Sequence, residues 1–157
     1  MDDRFYMEKA LLLARTAYDS GEVPVGAVIV KDGEIISEAH NLREKNSMAT
    51  AHAEILAIEK ACRKLGSWRL SGCTLYVTLE PCPMCAGALI NSRMDRVVYG
   101  LTDSKAGCLG SVINFNSYPF NHSFEVLGGV CAEGSAELLN RFFEGRRKKP
   151  STRICGE

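Results

Sequence analysis

The sequence predicts an α/β protein whose helices pack on one layered sheet that opens with an antiparallel hairpin. Short apolar or β-branched runs typical of strands alternate along the chain with segments of helical periodicity. A tight-turn signal joins the first two of these strands. The chain has 157 residues, 46% of them hydrophobic, so we expect one domain over residues 1–157 with a core large enough to fold unaided.

The first elements predicted are a helix and a hairpin. Apolar residues recur at steps of three and four from Met7 to Tyr18, which indicates an amphipathic helix that ends near Ser20 and Gly21. Two β-rich runs, VPVGAVIV and EIISEAH, follow and are joined by Lys31-Asp32-Gly33. Because Asp-Gly between such runs is typical of a tight turn, these strands are predicted to pair.

The middle of the chain is predicted to hold a helix, a strand and a second helix. Helical spacing runs from Ile55 to Leu65, with Thr50 as a possible N-cap and Gly66 as the stop. The continuously apolar run Cys73–Leu79 indicates a strand buried on both faces. Pro81 ends that strand, and helical character resumes in MCAGALINS.

The last third is predicted to add two strands and a final helix. Residues 96–100, RVVYG, indicate another buried strand, and a glycine-rich loop follows from Asp103 to Ser111. SFEVL is the candidate for the last strand. The final amphipathic helix carries Leu138, Leu139, Phe142 and Phe143, and a basic polar tail begins at about residue 146.

The net charge is balanced overall but not locally. The chain has 19 basic and 19 acidic residues, whereas from Arg141 to the end six basic residues accompany two acidic ones, a net charge of +4. A basic tail of this kind is either simply solvated or able to meet nucleic acid.

The location of the protein is predicted from its first residues and its cysteines. The start of the chain lacks a signal-peptide pattern, and the run ALLLA is far too short to span a membrane. We therefore expect a cytoplasmic protein without membrane association. Its seven cysteines should then be free thiols or thiolates, so a close pair indicates metal binding or catalysis.

The pair Cys82 and Cys85, in PCPMC, is compatible with three kinds of site. A redox dithiol favours a helix N-terminus, where the dipole lowers a thiol pKa. A structural zinc site needs a second cysteine pair, but no two of the other five cysteines lie within four residues of each other. A catalytic zinc site needs one further ligand, and histidine is the candidate.

One of the three histidines, His52, stands in TAHAEI at the start of a predicted helix. A lone histidine on a helix is more often a packed or solvated residue than a ligand. Together with Cys82 and Cys85, it would leave the fourth tetrahedral position of Zn²⁺ open to water, as in catalytic sites. Such a zinc lowers the pKa of water from 15.7 to about 7.

Glu54 follows His52 by two residues and is the candidate acid/base group. Two negative thiolates disfavour another anionic ligand, so we interpret Glu54 as a proton shuttle. The alternative is a solvated glutamate in the first turn of a helix, which the helix dipole also favours. The combination of H-x-E with P-C-x-x-C resembles the signature of the zinc nucleobase deaminases, which hydrolyse the exocyclic amine of adenine or cytosine.

Longer blocks resemble the bacterial tRNA-specific adenosine deaminases (TadA). The blocks are GEVPVGAVIV, AHNLRE, TAHAEILAIEKA, LGSWRLSGCTLYVTLEPCPMCAGALI, SRMDRVVYG, DSKAGCLGS and FNH. They run from about Gly21 to His122, and RFFEGRR follows where that family has its C-terminal helix. This similarity is far more specific than the zinc motif, which cytidine, guanine and deoxycytidylate deaminases share.

The resemblance implies a three-layer α/β/α, cytidine-deaminase-like fold with a central mixed sheet of about five strands. It implies a homodimer with one Zn²⁺ per subunit that hydrolyses the wobble adenosine of a tRNA anticodon to inosine and releases ammonia. His52, Cys82 and Cys85 would hold the zinc, and Glu54 would donate and accept protons.

The resemblance also implies a set of RNA contacts. Asn41 would hydrogen-bond the flipped base, although an asparagine after a strand is also a common turn residue. Contacts to the anticodon stem-loop would come from Asp103, Lys105, Asn121, Phe142, Phe143 and Arg147. The basic side chain can meet phosphate and an aromatic ring can stack on a splayed base. The alternative for the two phenylalanines is core packing, with one of them able to serve each purpose.

Three positions depart from the pattern of that family. Ala49 replaces the usual proline before Thr-Ala-His, and Leu101 replaces a small alanine next to the Asp103 loop. Gly134 is expected to weaken the first turn of the last helix by about 1 kcal/mol relative to alanine.

Two other functions remain open at this point. A deaminase of free guanine, cytosine or a nucleoside would have the same zinc site, but the blocks around Trp68, Asp103 and Phe142 and the basic tail favour RNA. A non-catalytic RNA-binding or dimerisation module with a structural zinc would have no need of Glu54.

Overall fold

The computed structural model describes residues 1–148, with side chains up to residue 146. Its helices and strands are α1 Asp3–Asp19, β1 Gly26–Lys31, β2 Glu34–His40, α2 Arg43–Asn46, α3 Ala53–Leu65, β3 Cys73–Leu79, α4 Pro83–Asn91, β4 Arg96–Leu101, β5 Glu125–Leu127 and α5 Ala132–Lys148. The rest of the predicted basic tail, from residue 149, lies outside the described residues.

The five strands within residues 1–148 form one mixed sheet in the order β2-β1-β3-β4-β5. Strand β1 is antiparallel to both of its neighbours, whereas β3, β4 and β5 run parallel to one another. The predicted hairpin is confirmed, because β1 and β2 are joined at Asp32 and Gly33, which both have positive φ angles (51° and 77°). Two positive φ angles are the requirement of a type I′ turn.

Side chains alternate between the two faces of the sheet and so build two cores. In β1, Ala27 and Ile29 pack with α3 and α4, whereas Val28 and Val30 pack with α1. Strand β3 divides its side chains in the same way and is buried on both faces, as the sequence predicted. With α5 packed beside α1, the molecule has the expected three-layer α/β/α architecture.

An ion pair links the start of α1 to the sheet. The guanidinium of Arg96 donates to both carboxylate oxygens of Asp3 at 2.7 and 2.8 Å, and the hydroxyl of Tyr76 donates to the same carboxylate at 2.7 Å. The hydrogen bonds from Arg96 hold the pKa of Asp3 below its ordinary value. The first turn of α1 is therefore fixed to β3 and β4 by a charge-assisted network.

The ends of α3 show one correct and one wrong prediction. Gly66 ends the helix in the left-handed conformation, with a φ of 62°, as predicted. Thr50 is not the N-cap, because the helix begins one residue after His52. The His52 side chain makes no capping bond and points instead toward two cysteines.

Helix α5 packs closely on α1. A Cβ at Gly134 would lie 3.1 Å from Cδ1 of Leu11, so the glycine allows an approach that alanine would crowd. Phe142 is buried at this contact, with its ring centroid 6.3 Å from that of Tyr18. None of the helices within residues 1–148 is long and apolar enough to cross a membrane.

Candidate active site

The sequence-predicted metal ligands meet where two helices begin. His52 is the N-cap residue of α3 and Cys82 is the N-cap residue of α4, which has a proline in its first turn. Proline is favoured there because its missing N–H has no partner in the first turn of a helix. Cys85 lies in the first turn of α4 and is fully buried. Helix packing therefore places residues 30 positions apart side by side.

These three side chains form a group that could hold a metal ion, with all ligand atoms within 4.8 Å of one another. Nδ1 of His52 is 3.6 Å from Sγ of Cys82 and 3.6 Å from Sγ of Cys85. Tetrahedral zinc with ordinary Zn–S and Zn–N bonds separates sulfur from nitrogen by about 3.6 Å. The donor atoms present therefore fit zinc in both chemistry and spacing.

The two thiols differ strongly in acidity. A hydrogen bond from Cys85 lowers the pKa of Cys82 to about 4, while the same bond and burial raise the pKa of Cys85. The hydrogen bond to Cys82 also raises the pKa of His52. A lowered thiol pKa is found in redox dithiols as well. An imidazole nitrogen equidistant from both sulfurs distinguishes this group, because it completes a three-ligand metal site.

Glu54 lies in the first turn of α3 and faces the same cavity as His52 and Cys82. It is only 4% exposed, which contradicts the alternative of a solvated glutamate. Burial raises the pKa of its carboxyl group above the ordinary value. A buried carboxyl group with a raised pKa is suited to general acid/base work, because it can take up and release a proton at the substrate.

A cavity of about 220 Å³ opens in front of this group. Its apolar wall consists of Val23, Val25, Ala53, Leu79 and Ala106, and its polar wall includes Asn41, Arg43, Glu80 and Asp103. Apolar surface with a few convergent polar groups is typical of a site for a small ligand.

Asn41 both shapes a turn and lines the cavity. Its side-chain oxygen Oδ1 accepts a hydrogen bond from the backbone N–H of Arg43 at 3.1 Å, which is the turn role expected of an asparagine after a strand. That bond fixes the orientation of the amide, so its Nδ2 donor is left for a ligand. The residue is 5% exposed, and the two predicted roles are compatible.

The other predicted RNA contacts are spread more widely. Asp103 lines the cavity, and its carboxylate accepts the backbone N–H groups of Lys105 and Ala106. Lys105 and Asn121 are exposed outside the cavity. The loop that carries Asn121 is held by His122, whose Nε2 is 2.7 Å from the carbonyl oxygen of Met94.

The aromatic pair on α5 is divided between two environments. Phe142 is buried against Tyr18, and the guanidinium of Arg146 lies 4.5 Å from its ring centroid. Phe143 is 43% exposed. The backbone of Arg147 belongs to α5, while its side chain lies outside the described residues.

Two buried carboxylates were not predicted from the sequence: Glu80, which lines the cavity, and Glu22, which does not. Glu80 stands two residues before Cys82, and burial would raise the pKa of its carboxyl group. Hydrogen bonds from Ser111 and from the backbone of Asp103 and Leu109 instead hold that pKa below its ordinary value. Both residues lie inside blocks that resemble the tRNA adenosine deaminases, GEVPVGAVIV and LGSWRLSGCTLYVTLEPCPMCAGALI, but outside the H-x-E and P-C-x-x-C motifs. A lone glutamate in a sequence is usually a surface residue, so nothing in the sequence indicated that these two are buried.

Comparison with known proteins places the fold and site among deaminases. The family model for MafB19-like deaminases matches residues 1–147. The tRNA-specific adenosine deaminase of Bacillus subtilis is 53% identical over 148 residues, which cover 94% of this chain and 92% of that enzyme.

Two solved structures are also similar. One comes from a study of A-to-I editing by tRNA:A34 deaminases, with 46% identity, a TM-score of 0.84, and coverage of 86% of this chain and 99% of that one. A guanine deaminase from Bacillus subtilis is more distant, at 30% identity and a TM-score of 0.64, over 98% of this chain and 99% of that one. The chain therefore belongs to the family of tRNA-specific adenosine deaminases.

Proposed function

We propose that the protein hydrolyses adenosine to inosine at the wobble position of a tRNA anticodon and releases ammonia. The observation that carries this proposal is the cavity in which buried Glu54 and the amide of Asn41 face the His52, Cys82 and Cys85 group. The 53% identity to a tRNA-specific adenosine deaminase supports this substrate.

We infer one zinc ion per chain, held by Nδ1 of His52 and the thiolates of Cys82 and Cys85. The sulfur–nitrogen separations of 3.6 Å support this assignment. When bound, zinc supplies a hydroxide nucleophile at neutral pH, because it lowers the pKa of water to about 7. Cys85 is buried, whereas His52 and Cys82 are partly exposed and line the cavity, so the zinc they would hold would be within reach of a substrate there.

Glu54 would move the protons of the reaction. Its carboxylate accepts one proton from the attacking water and delivers it to a ring nitrogen of adenine. It then takes the remaining proton from the hydroxyl added to the ring carbon and delivers it to the exocyclic amine, which leaves as ammonia. The water oxygen stays on the ring carbon, so adenosine and water give inosine and ammonia. The buried position of Glu54 restricts this proton to the substrate rather than to bulk solvent.

Asn41 and the apolar wall would orient the base. The Nδ2 group of Asn41 donates to an acceptor on the purine edge, and Val25 and Leu79 contact its faces and exclude water. Because an anticodon loop already exposes its bases, turning one nucleotide into this cavity costs less than extruding it from a duplex.

The remaining contacts would recognise the anticodon stem-loop. We assign Asp103, Lys105, Asn121 and Phe143 to the neighbouring nucleotides because they lie at the cavity or are exposed. Arg147 and the basic residues after it would meet phosphates. Phe142 supports this surface by fixing α5 on α1.

We further propose that the chain is one deaminase domain, that it forms a homodimer, and that it works in the cytoplasm. The tRNA substrate and the free cysteines among the described residues support a reducing cytoplasmic setting.

The proposed function is tested by product formation on a panel of substrates. Purified protein, with about one zinc per chain, is expected to form inosine in an anticodon stem-loop that carries a wobble adenosine. Free adenosine, cytidine and guanine should be poor substrates. Release of ammonia from guanine, with no reaction on RNA, would instead indicate a guanine deaminase, like the more distant relative from Bacillus subtilis.

A further inference from the structure

Two walls of the proposed substrate cavity are each held by one buried carboxylate. Glu22 is 1% exposed and Glu80 is 2% exposed. Within residues 1–148, neither carboxylate forms a salt bridge. A buried carboxylate without a cation needs several hydrogen-bond donors to offset its desolvation. In both cases backbone N–H groups of a segment that lines the cavity are donors, and at Glu80 the Ser111 hydroxyl is a further donor.

Glu22 holds the wall that contains Asn41. Its carboxylate oxygens accept the backbone N–H groups of Glu44 at 3.0 Å and of Lys45 at 2.9 Å. These N–H groups belong to the first turn of α2, whose N-cap residue, Leu42, makes no side-chain capping bond. Glu22 therefore caps this one-turn helix from a distance and fixes the segment that begins at Asn41.

Glu80 holds the wall that contains Asp103. Its Oε1 accepts the backbone N–H of Asp103 at 3.1 Å, and its Oε2 accepts those of Leu109 at 3.0 Å and Ser111 at 3.1 Å. The Ser111 hydroxyl also donates to Oε1. One carboxylate thus anchors both ends of the 103–111 loop.

Two further contacts bind this loop to the segment that leads into Cys82. The backbone N–H of Cys108 donates to the carbonyl oxygen of Pro81 at 2.9 Å. Gly107 packs directly on the Glu80 carboxylate, where any Cβ would collide with it. The loop is consequently held in fixed register with one of the three proposed zinc ligands.

We propose that Glu22 and Glu80 are positioning residues with separate tasks. Glu22 orients Asn41, which recognises the base, and Glu80 orients the Asp103 loop, which binds the nucleotides beside the base. This inference rests on the proposed function. Glu22 does not line the cavity and acts through the backbone that it fixes. Glu80 does line the cavity, but both of its carboxylate oxygens accept N–H groups of the 103–111 loop, so it too acts through the backbone that it holds. Loss of Glu22 should therefore impair recognition of the wobble base alone. Loss of Glu80 should impair contacts to the neighbouring nucleotides and leave recognition of the base intact.

The test measures binding of two RNAs to variants that cannot turn the substrate over. Glu22→Gln and Glu80→Gln are each combined with Glu54→Ala. Fluorescence anisotropy is then recorded with an anticodon stem-loop carrying wobble adenosine and with the same stem-loop carrying an abasic wobble residue. Glutamine replaces one acceptor oxygen by an N–H donor, so at least one backbone N–H loses its partner.

Glu22→Gln is expected to weaken binding of the adenosine loop by about tenfold, or 1.4 kcal/mol, and to leave the abasic loop unchanged. Glu80→Gln is expected to weaken both loops by a similar factor. Adding Leu42→Asp to Glu22→Gln supplies α2 with a cap of its own and should restore binding of the adenosine loop. Ser111→Ala removes one donor to Glu80 and should weaken both loops by a smaller factor.

Glu59→Gln, an exposed substitution on α3, is the matched control and should change neither affinity. The inference would be overturned if Glu22→Gln weakened binding of both loops equally, or if Glu80→Gln weakened binding of neither. It would also be overturned if affinity fell only in variants whose Tm had fallen. Wild-type protein is assayed in parallel for inosine on the adenosine stem-loop. If inosine is absent there, the proposed function fails; if inosine forms and the two variants bind alike, only the positioning roles fail.

Discussion

Replacement of Glu54 is predicted to separate metal binding from catalysis. Glu54→Ala leaves His52, Cys82 and Cys85 intact, so the zinc content should stay at about one per chain. The side chain is 4% exposed, so bulk water cannot easily replace its carboxyl group in proton transfer. General acid/base catalysis contributes about 10²- to 10⁴-fold, and one group here serves several proton transfers. We therefore expect the rate of inosine formation to fall by at least about 10³-fold.

The assay is single-turnover inosine formation on the stem-loop, with zinc measured in the same preparation. Glu54→Gln is the matched variant, because glutamine keeps the size of the side chain but cannot carry the proton. Both variants should be inactive to a similar extent and still bind the stem-loop. A rate within about tenfold of wild type, with zinc retained, would refute the proton-shuttle role. Loss of zinc from Glu54→Gln would show that Glu54 supports the metal instead.

Three further substitutions give separate tests. Cys85→Ala should abolish zinc binding, measured by metal analysis of purified protein, and with it the activity. Cys62→Ala, outside the site, is the control and should retain both. A full zinc content in Cys85→Ala would contradict the ligand assignment. Asn41→Asp keeps the Oδ1 acceptor but removes the Nδ2 donor, so kcat/KM on the stem-loop should fall by about tenfold or more at unchanged zinc content; unchanged kcat/KM would contradict base recognition by this amide. Asp3→Asn breaks the pair with Arg96 and should lower the free energy of unfolding by about 1 kcal/mol at pH 7 in a denaturant titration. Because the pair with Arg96 lowers the pKa of Asp3, the pair stabilises the protein at a pH above the pKa of Asp3 in the unfolded chain, about 3.9, and this stabilisation is lost as the pH falls through the folded pKa. The difference in stability between wild type and variant should therefore shrink below about pH 4. A difference that persists there would contradict the ion-pair explanation.

The sequence was most informative where one physical constraint dominates. The strand Cys73–Leu79 was predicted with its observed bounds, because a continuous apolar run between turn residues has few other solutions. The two positive φ angles at Asp32 and Gly33 follow from the turn that Asp-Gly favours. The spacing of His52, Cys82 and Cys85 was predictive because three residues of metal-binding type coincide with two helix starts.

The sequence was least informative where a residue depends on partners far along the chain. Glu80 is buried because it accepts bonds from residues 23 to 31 positions away, and nothing local distinguishes it from a surface glutamate. The division of labour between Phe142 and Phe143 likewise depends on where α1 lies against α5. Thr50 was favoured as a cap by residue type, yet the geometry of His52 decides where α3 begins.

The most direct test of hydrolytic deamination at the wobble position is the isotopic content of the product. The stem-loop is treated with the enzyme in ¹⁸O-labelled water and then digested with a nuclease. Mass spectrometry of the fragments gives the position and the mass of each inosine. We predict inosine only at the wobble position, heavier by one labelled oxygen, and none with Glu54→Ala. Unlabelled inosine, inosine at other positions, or an unchanged wobble adenosine would contradict the proposed reaction.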